Sequence, residues 1–335
     1  MKRGAVRDSA DLLFRIKGLD KQIGFWDDSA GSYPTEAAPM QDAETRTFLC
    51  GRYFTAEEIE QIRETVRDFS QLSWYELVQT ICEHLDWVTP AGQYKIDSCA
   101  KALSKLEAQG LLKIPAKRPC RTMNHREVVA GTRTDPDGEV VGTARDVAPV
   151  VVEPATTKDG LRLWNEYVQR YHGLGYKRPF GAHQRYFIIG KTGRLGCLLF
   201  ASAAWALSAR DEWIGWTERE RAQRLNRVVT NTRFLIFPWV RVRNLASKAL
   251  GLVAARIGED WQVRYGYAPV LLETFVEAER YEGTCYQAAN WIRLGKTAGR
   301  GRMDRKKQRL LTPKWIYVYP LVPDFRSHLC GENGK

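Results

Sequence analysis

The stretch that most constrains this chain is Val270 to Arg302, VLLETFVEAERYEGTCYQAANWIRLGKTAGRGR. It opens as an apolar strand, Val270-Leu271-Leu272, is interrupted by Glu273 and Thr274, and resumes with Phe275-Val276. Glu273 therefore lies at a strand end or is buried with a partner. Thr284 and Gln287 have capping-box spacing, which satisfies free backbone donors at a helix start, and Tyr286, Ala289 and Ile292 or Arg293 recur at helical spacing. Gly295 stands where a helix would stop. From Arg293 to Lys314 nine Lys or Arg face one acid, Asp304. A strand feeding a short helix and then a cationic, glycine-rich segment is a scaffold suited to a polyanion.

The charge is unevenly placed. The 335 residues carry a net +12, but residues 161–335 hold 30 Lys/Arg against 14 Asp/Glu, and residues 1–160 hold 21 against 25. A nucleic acid is the expected partner of such a C-terminal half; a basic surface that binds nothing fits the same numbers. The seven Cys are scattered and never form a C-x-x-C pair, which argues against a disulfide framework or a standard zinc site and points to the cytoplasm. The start, MKRGAVRDSADLLFR, lacks an apolar signal core, and the longest apolar run, near Leu198 to Leu207, is too short to span a bilayer. No membrane partner is expected.

Four segments are expected: residues 1–50 irregular, 51–120 helical, 121–160 a linker, and 161–325 a second domain, with its basic Gly/Arg segment at 293–314. The helical part shows two capping boxes, Thr55 with Glu58 and Ser73 with Glu76, and apolar faces at Ile59, Ile62, Val66, then Leu77, Ile81, Leu85, then Ala100, Leu103, Leu106. A short strand at Leu111 to Pro115 and a basic loop with Lys117, Arg118 and Arg121 complete the order of a winged helix. In that fold Lys95, Ser98, Lys101 and Lys105 would face DNA; a three-helix packing module with solvated lysines fits equally. From Leu161 the pattern predicts an amphipathic helix, then a hairpin turning at Lys191-Thr192, and an aromatic and charged loop at Arg210 to Trp216. A helix capped at Thr217 follows, then a strand from Phe234 to Val242, a long helix from Asn244 through Ala255, the strand after Val270, and a last strand at Ile316 to Pro320. The fold class is α+β.

Tyr286-Gln287-Ala288-Ala289-Asn290-Trp291 resembles the Y-x-x-x-G-F signature of the Gcn-related acyltransferase fold, with Asn290 and Trp291 in place of Gly and Phe. In that fold the tyrosine protonates the leaving thiolate of coenzyme A, and a glycine loop holds the pyrophosphate at the start of the long helix. Here that place reads Arg241-Val242-Arg243-Asn244-Leu245-Ala246, without the glycines, so coenzyme A is not expected. The phrases RDEWIGW (Arg210 to Trp216), VVTNTRFLIFPWVRVRNLASKALG (Val228 to Gly251), ETFV (Glu273 to Val276), GTCYQAANW (Gly283 to Trp291) and GRGR (Gly299 to Arg302) are similar to the Druantia anti-phage system protein DruA family. That domain also precedes the catalytic domain of some insertion-sequence transposases. The resemblance implies phage defence or mobile DNA and supplies no reaction.

Three functions remain open. The first is a DNA-binding component of a defence or mobile-element system, working with other proteins of that system. Its contacts would be Lys95, Ser98, Lys101, Lys105, Arg233, Arg293, Lys296, Arg300, Arg302, Arg305, Lys306 and Lys307. The second is a DNA-cleaving or rejoining enzyme. Tyr286 or Cys285, at a positive helix end that lowers a phenol or thiol pKa, would be the nucleophile, or Glu273 and Asp211, with Asp260 a further acid, would hold Mg²⁺ or Mn²⁺. The bland alternatives are a core aromatic, a small buried thiol and salt bridges to Arg210 or Arg233. The third is acyl transfer from coenzyme A. Of Trp205, Trp213, Trp216, Trp239, Trp261 and Trp291, about four are expected inside.

Overall fold

The computed structural model describes residues 46–70, 72–90, 92–115, 128–179, 181–297 and 312–331. All of them belong to the compact unit Glu44–Lys335. Its N-terminal part starts with a hairpin, β1 (Thr47–Leu49) and β2 (Arg52–Phe54), followed by α1 (Ala56–Asp68), α2 (Trp74–His84) and α3 (Ile96–Ala108). Both capping boxes are closed: Thr55 and Glu58 satisfy each other's backbone donors at the start of α1, and Ser73 and Glu76 do so at α2. The apolar faces bury Ile59, Ile62 and Val66, then Leu77 and Ile81, then Leu103 and Leu106. The inner face of α3 is completed by Cys99 and Ala102, while Ala100 is only half-buried.

The strand expected at Leu111 to Pro115 is not formed. That segment stays extended without a ladder partner, Leu112 and Ile114 are buried, and Glu107 Oε1 accepts the Ile114 amide at 2.8 Å. The basic loop with Lys117, Arg118 and Arg121 lies outside the described residues. The 121–160 stretch expected as a linker instead supplies two strands. These are β3 (Val140–Thr143) and β4 (Val151–Pro154), each laid beside a strand of the second part.

The second part is built on a seven-stranded sheet. Its elements in order are α4 (Lys158–Tyr171), β5 (His183–Gly190), β6 (Gly193–Ser202), α5 (Ser208–Ile214), α6 (Glu218–Arg224), β7 (Val228–Ile236), β8 (Val240–Arg243) and α7 (Leu245–Tyr265). They continue with β9 (Leu271–Glu277), α8 (Thr284–Gln287), β10 (Ile292–Lys296), β11 (Lys314–Pro320) and α9 (Phe325–Cys330). Across the sheet the order is β10-β11-β9-β7-β6-β5-β4. Every neighbouring pair is antiparallel except β7 and β9, which run parallel and are joined through the crossover containing α7. The hairpin turns at Lys191-Thr192 as expected. Gly196 in β6 has no room for a side chain, since a Cβ would lie 2.3 Å from the Leu235 carbonyl oxygen.

Other expectations shift. Arg210 to Trp216 is mainly helical, not a loop: α5 covers Ser208–Ile214 and ends on Gly215 in the left-handed region. The strand expected from Phe234 begins at Val228, and the long helix runs ten residues past Ala255 to Tyr265. The helix around Tyr286 has one turn, and Gly295 sits in β10 at a register irregularity rather than at a helix stop. Trp216, Trp261 and Trp291 are buried, while Trp205, Trp213 and Trp239 are half-buried against the cores.

The helical part and the sheet share one apolar core. Phe69 meets Tyr267 edge-on at 5.7 Å between ring centres, and His84 lies 4.9 Å from Trp205. Burial lowers the His84 imidazole to about 4, so the ring is neutral in the folded protein while the unfolded chain takes up a proton near pH 6.5. Its contribution to stability is whole above pH 6.5 and is lost as pH falls toward 4. Urea unfolding should therefore show about 2 kcal/mol less stability from this group at pH 5 than at pH 7. A His84→Gln variant should lack that portion of the slope, and an unchanged slope would refute the assignment.

Candidate functional site

The parallel seam between β7 and β9 gathers the motif residues. The two strands pair only from Val228 opposite Leu271 to Asn231 opposite Thr274, and the polar side chains of that seam divide into two groups.

The first group is centred on Arg210, which α5 delivers, fully buried, to Glu273, also fully buried, in the middle of β9. Arg210 Nη1 donates to Glu273 Oε2 at 3.0 Å and to the Ala204 carbonyl at 3.0 Å. Its Nε and Nη2 donate to Asp211 Oδ1 at 2.9 and 2.7 Å. Glu273 Oε1 accepts the Thr230 hydroxyl at 2.6 Å and the Ala204 amide at 3.4 Å. Asp211 also accepts the Trp216 indole at 3.1 Å, the Leu207 amide at 3.0 Å and Arg221 Nη1 at 3.3 Å. Asp211 and Glu273 are thus brought together, but by an arginine that occupies the space between them. Their oxygens face donors already in place. Asp260 is elsewhere, on α7, held by Arg256 and the Tyr186 hydroxyl. Among the described residues no group of three His, Cys, Asp or Glu could hold a metal ion.

The second group surrounds Tyr286. Its hydroxyl donates to Asn231 Oδ1 at 2.7 Å and accepts from Thr274 Oγ1 at 3.4 Å, and Thr274 Oγ1 also donates to the Asn231 carbonyl at 3.0 Å. Phe234, Trp291 and Tyr317 enclose the ring, with centres 6.1, 5.1 and 5.8 Å away. The expected capping box is absent. Gly283, with φ +67°, is the N-cap, and Gln287 Nε2 donates instead to the Glu282 carbonyl and the Tyr317 hydroxyl. Glycine is needed there because a Cβ would meet the Tyr317 ring at 2.6 Å. The activated-nucleophile expectation runs against the electrostatics. Burial raises the Cys285 thiol above its ordinary value and raises the Tyr286 phenol further, because a four-residue helix offers little dipole to offset desolvation.

The cations expected on nucleic acid separate by what they touch. On α3 Lys101 and Lys105 are exposed one turn apart, while Lys95 and Ser98 are half-buried. Arg233 is not a surface group: its Nε donates to the Gly175 carbonyl at 3.1 Å and its Nη1 to the Thr232 carbonyl at 2.7 Å. On the edge strand β10, Arg293 and Lys296 lie over the Trp315 ring at 4.5 and 4.2 Å and are otherwise exposed, Arg293 reaching Glu282 at 3.7 Å. Arg300, Arg302, Arg305, Lys306 and Lys307 lie outside the described residues. The sequence assigns no site role to Thr230, Asn231 or Thr274. Their only signal was polar residues inside otherwise apolar strands.

The model of the family described as Druantia protein DruA matches residues 124–312. No curated protein matches. Among solved structures, the chain is similar to an acetyl transferase from Salmonella typhimurium that modifies the N-terminal serine of ribosomal protein L7/L12. There the identity is 10%, with 49% of this chain and 76% of that chain covered and a TM-score of 0.29. It is similar also to RimL, a ribosomal L7/L12 alpha-N-protein acetyltransferase, at 11% identity, with 52% and 96% covered and a TM-score of 0.31. FeeM, an N-acyl amino acid synthase from uncultured soil microbes, matches at 12% identity, with 53% and 93% covered and a TM-score of 0.31. Overlaps this loose say nothing about what the chain does.

Two expectations follow for the seam. Removing either member of the buried pair, by Arg210→Met or Glu273→Leu, should cost about 3–5 kcal/mol, and the double variant should cost less than the sum. A urea double-mutant cycle with no coupling would contradict the pairing. Tyr286→Phe leaves Asn231 Oδ1 buried without its donor and should cost about 1–3 kcal/mol by the same measurement.

Proposed function

Because this chain belongs to the Druantia protein DruA family, matched over more than half its length, we propose that it is a DNA-binding component of an anti-phage defence system. The family points to anti-phage defence; contact with DNA is the proposal. The observation that carries it is β10. This edge strand presents exposed Arg293 and Lys296 and leads directly into residues 297–314, where seven Lys or Arg stand against one acid. An edge strand has only one neighbour in the sheet, so its cations stand in solvent beside one another. Counterion release then favours a nucleic-acid backbone.

The exposed pair Lys101 and Lys105 on α3 offers a second contact to the same backbone, and the helical part would lay α3 along a groove. Both contacts are to phosphate, so they position the protein without reading sequence. The protein would work in the cytoplasm, where incoming DNA is met and its Cys stay reduced, beside other proteins of the system. No helix among the described residues is long and apolar enough to cross a membrane. Strand cleavage gains no support from the seam: Glu273 and Asp211 are bound to arginine, and Tyr286 and Cys285 are raised in pKa.

The reading is checked by a gel-shift titration of duplex and single-stranded DNA across a range of salt. The logarithm of affinity should fall linearly with the logarithm of salt, with a slope of about −0.9 per phosphate contacted on duplex. Arg293→Ala with Lys296→Ala should weaken binding and flatten that slope by roughly 1.8. Binding that ignores salt, or that these variants leave untouched, would remove the proposal.

A further inference from the structure

A surface notch of about 350 Å³ opens between the tip of the β1–β2 hairpin, the start of α2 and the outer side of α3. Cys50, Ala100 and the half-buried Trp74 give it apolar walls, and Lys101 and Lys105 stand exposed along its α3 side. Among the described residues no acid lines it, and neither lysine makes an ion pair. Cys50 and Gly51 form the two-residue turn of the hairpin, both with positive φ, 50° and 79°. A residue other than glycine takes that region at a cost, and the side chain it displays there is the one bordering the notch. On the outer face of the same hairpin Phe48 and Tyr53 pair across the strands with ring centres 4.8 Å apart, and they are 58% and 64% exposed. Their neighbours Leu49 and Phe54 are buried, so the core is filled without the outer pair.

Accessible aromatic rings beside lysines that no carboxylate holds fit a ligand combining flat apolar faces with a negative backbone. A nucleic-acid strand whose bases are out of the double helix is such a ligand, since aromatic side chains stack on its bases while cations follow its phosphates. A base inside a duplex is already stacked on its neighbours and offers the notch no face. An acidic peptide matches the charge of Lys101 and Lys105 but brings no succession of flat rings to the Phe48–Tyr53 pair. We propose that the notch and this pair take unpaired bases of a DNA strand, with Lys101 and Lys105 on the flanking phosphates. The inference rests on the DNA-binding reading above and narrows it. On this side of the molecule the protein distinguishes a strand with unpaired bases from a continuous duplex, whereas phosphate contact alone favours the duplex with its denser charge.

Fluorescence anisotropy on the full chain tests this with three labelled probes at one salt concentration: a short single strand free of self-complementarity, an abasic strand of the same length, and the fully paired duplex. The base-bearing strand should bind about tenfold more tightly than the abasic one. Phe48→Ser with Tyr53→Ser should erase most of that difference while changing duplex affinity far less, and the duplex then reports that the variant is folded. Phe48→Tyr with Tyr53→Phe keeps both rings and should lose far less. Lys101→Gln with Lys105→Gln should weaken the base-bearing and abasic strands alike. Irradiation of the parent chain with an iodouracil-bearing strand should place the crosslink on Phe48, Tyr53 or Trp74. The inference is overturned if the abasic strand binds as tightly as the base-bearing one, if the serine pair keeps the difference, or if the crosslink falls only elsewhere. In each of those cases a duplex that binds with the salt dependence given above leaves the DNA-binding reading standing; absence of binding by every probe removes both.

Discussion

A guanidinium that no solvent reaches must be neutralised by the protein, and Arg210 is neutralised from two sides. Asp211 is its own neighbour in the chain, but Glu273 comes from the centre of β9. This one contact fastens α5 to the sheet, draws Thr230 of β7 onto the same carboxylate, and so ties together the two strands that run parallel. Asp211 extends the arrangement to Arg221 on α6 and to the Trp216 indole. Nearly every polar residue of Arg210 to Trp216 is therefore spent on structure. A buried ion pair is weak evidence for net stability, because desolvation offsets the attraction. Its value here is directional: among apolar neighbours only one docking of α5 satisfies all the donors.

The same logic separates a chemical tyrosine from a structural one. Tyr286 occupies the place beside the parallel strands where the acyltransferase resemblance puts a proton donor. Its hydroxyl is engaged by Asn231 and Thr274, and three aromatic rings close around it. Nearby, Asn244 begins α7 in the left-handed region at φ 62°, without a side-chain cap and followed by leucine and alanine rather than glycine. The two places that the resemblance singles out thus carry side chains that fill or stiffen them. A parallel pair joined through a long helix is present, and the polar side chains of Arg210 and Tyr286 beside it serve packing.

Much of this fold was legible in the sequence because it is written in local signals. Three capping boxes, at Thr55, Ser73 and Thr217, mark the starts of α1, α2 and α6, since a cap needs only residues three apart. Period-2 and period-3.6 patterns located β5, β6, α4 and the middle of α7. The errors arose where tertiary contact decides. Thr284-x-x-Gln287 has the right spacing, yet Gln287 finds the Tyr317 hydroxyl, from a strand thirty residues away, and the box never forms. Arg210 to Trp216 has the charge of a surface loop, and the distant Glu273, together with Asp211, makes the burial of Arg210 tolerable. Residues 140–154 are short, valine-rich and broken by glycine, so their strand character appears only when β8 and β5 lie beside them. For the candidate site, Glu273 was legible as an acid in a strand, while the identity of its partner and the roles of Thr230 and Asn231 were not, because pairing across a sheet leaves no mark in spacing.

Net charge is equally blind to such distinctions, and the structure sorts the positive residues by what already holds them. Arg210, Arg221 and Arg256 are matched to carboxylates. Arg233 is spent on backbone carbonyls, and Arg185 is buried against Trp164 and Tyr176 with its Nε unpaired. Engaged inside the fold, these offer little to a polyanion. On α3 and β10, by contrast, Lys101, Lys105, Arg293 and Lys296 are among the described cations that stay exposed. The surplus of the C-terminal half is thus divided between cations that build the fold and cations left over, and only the second kind bears on binding. An excess read from sequence overstates an interface by the number of arginines a mixed sheet consumes in holding its helices.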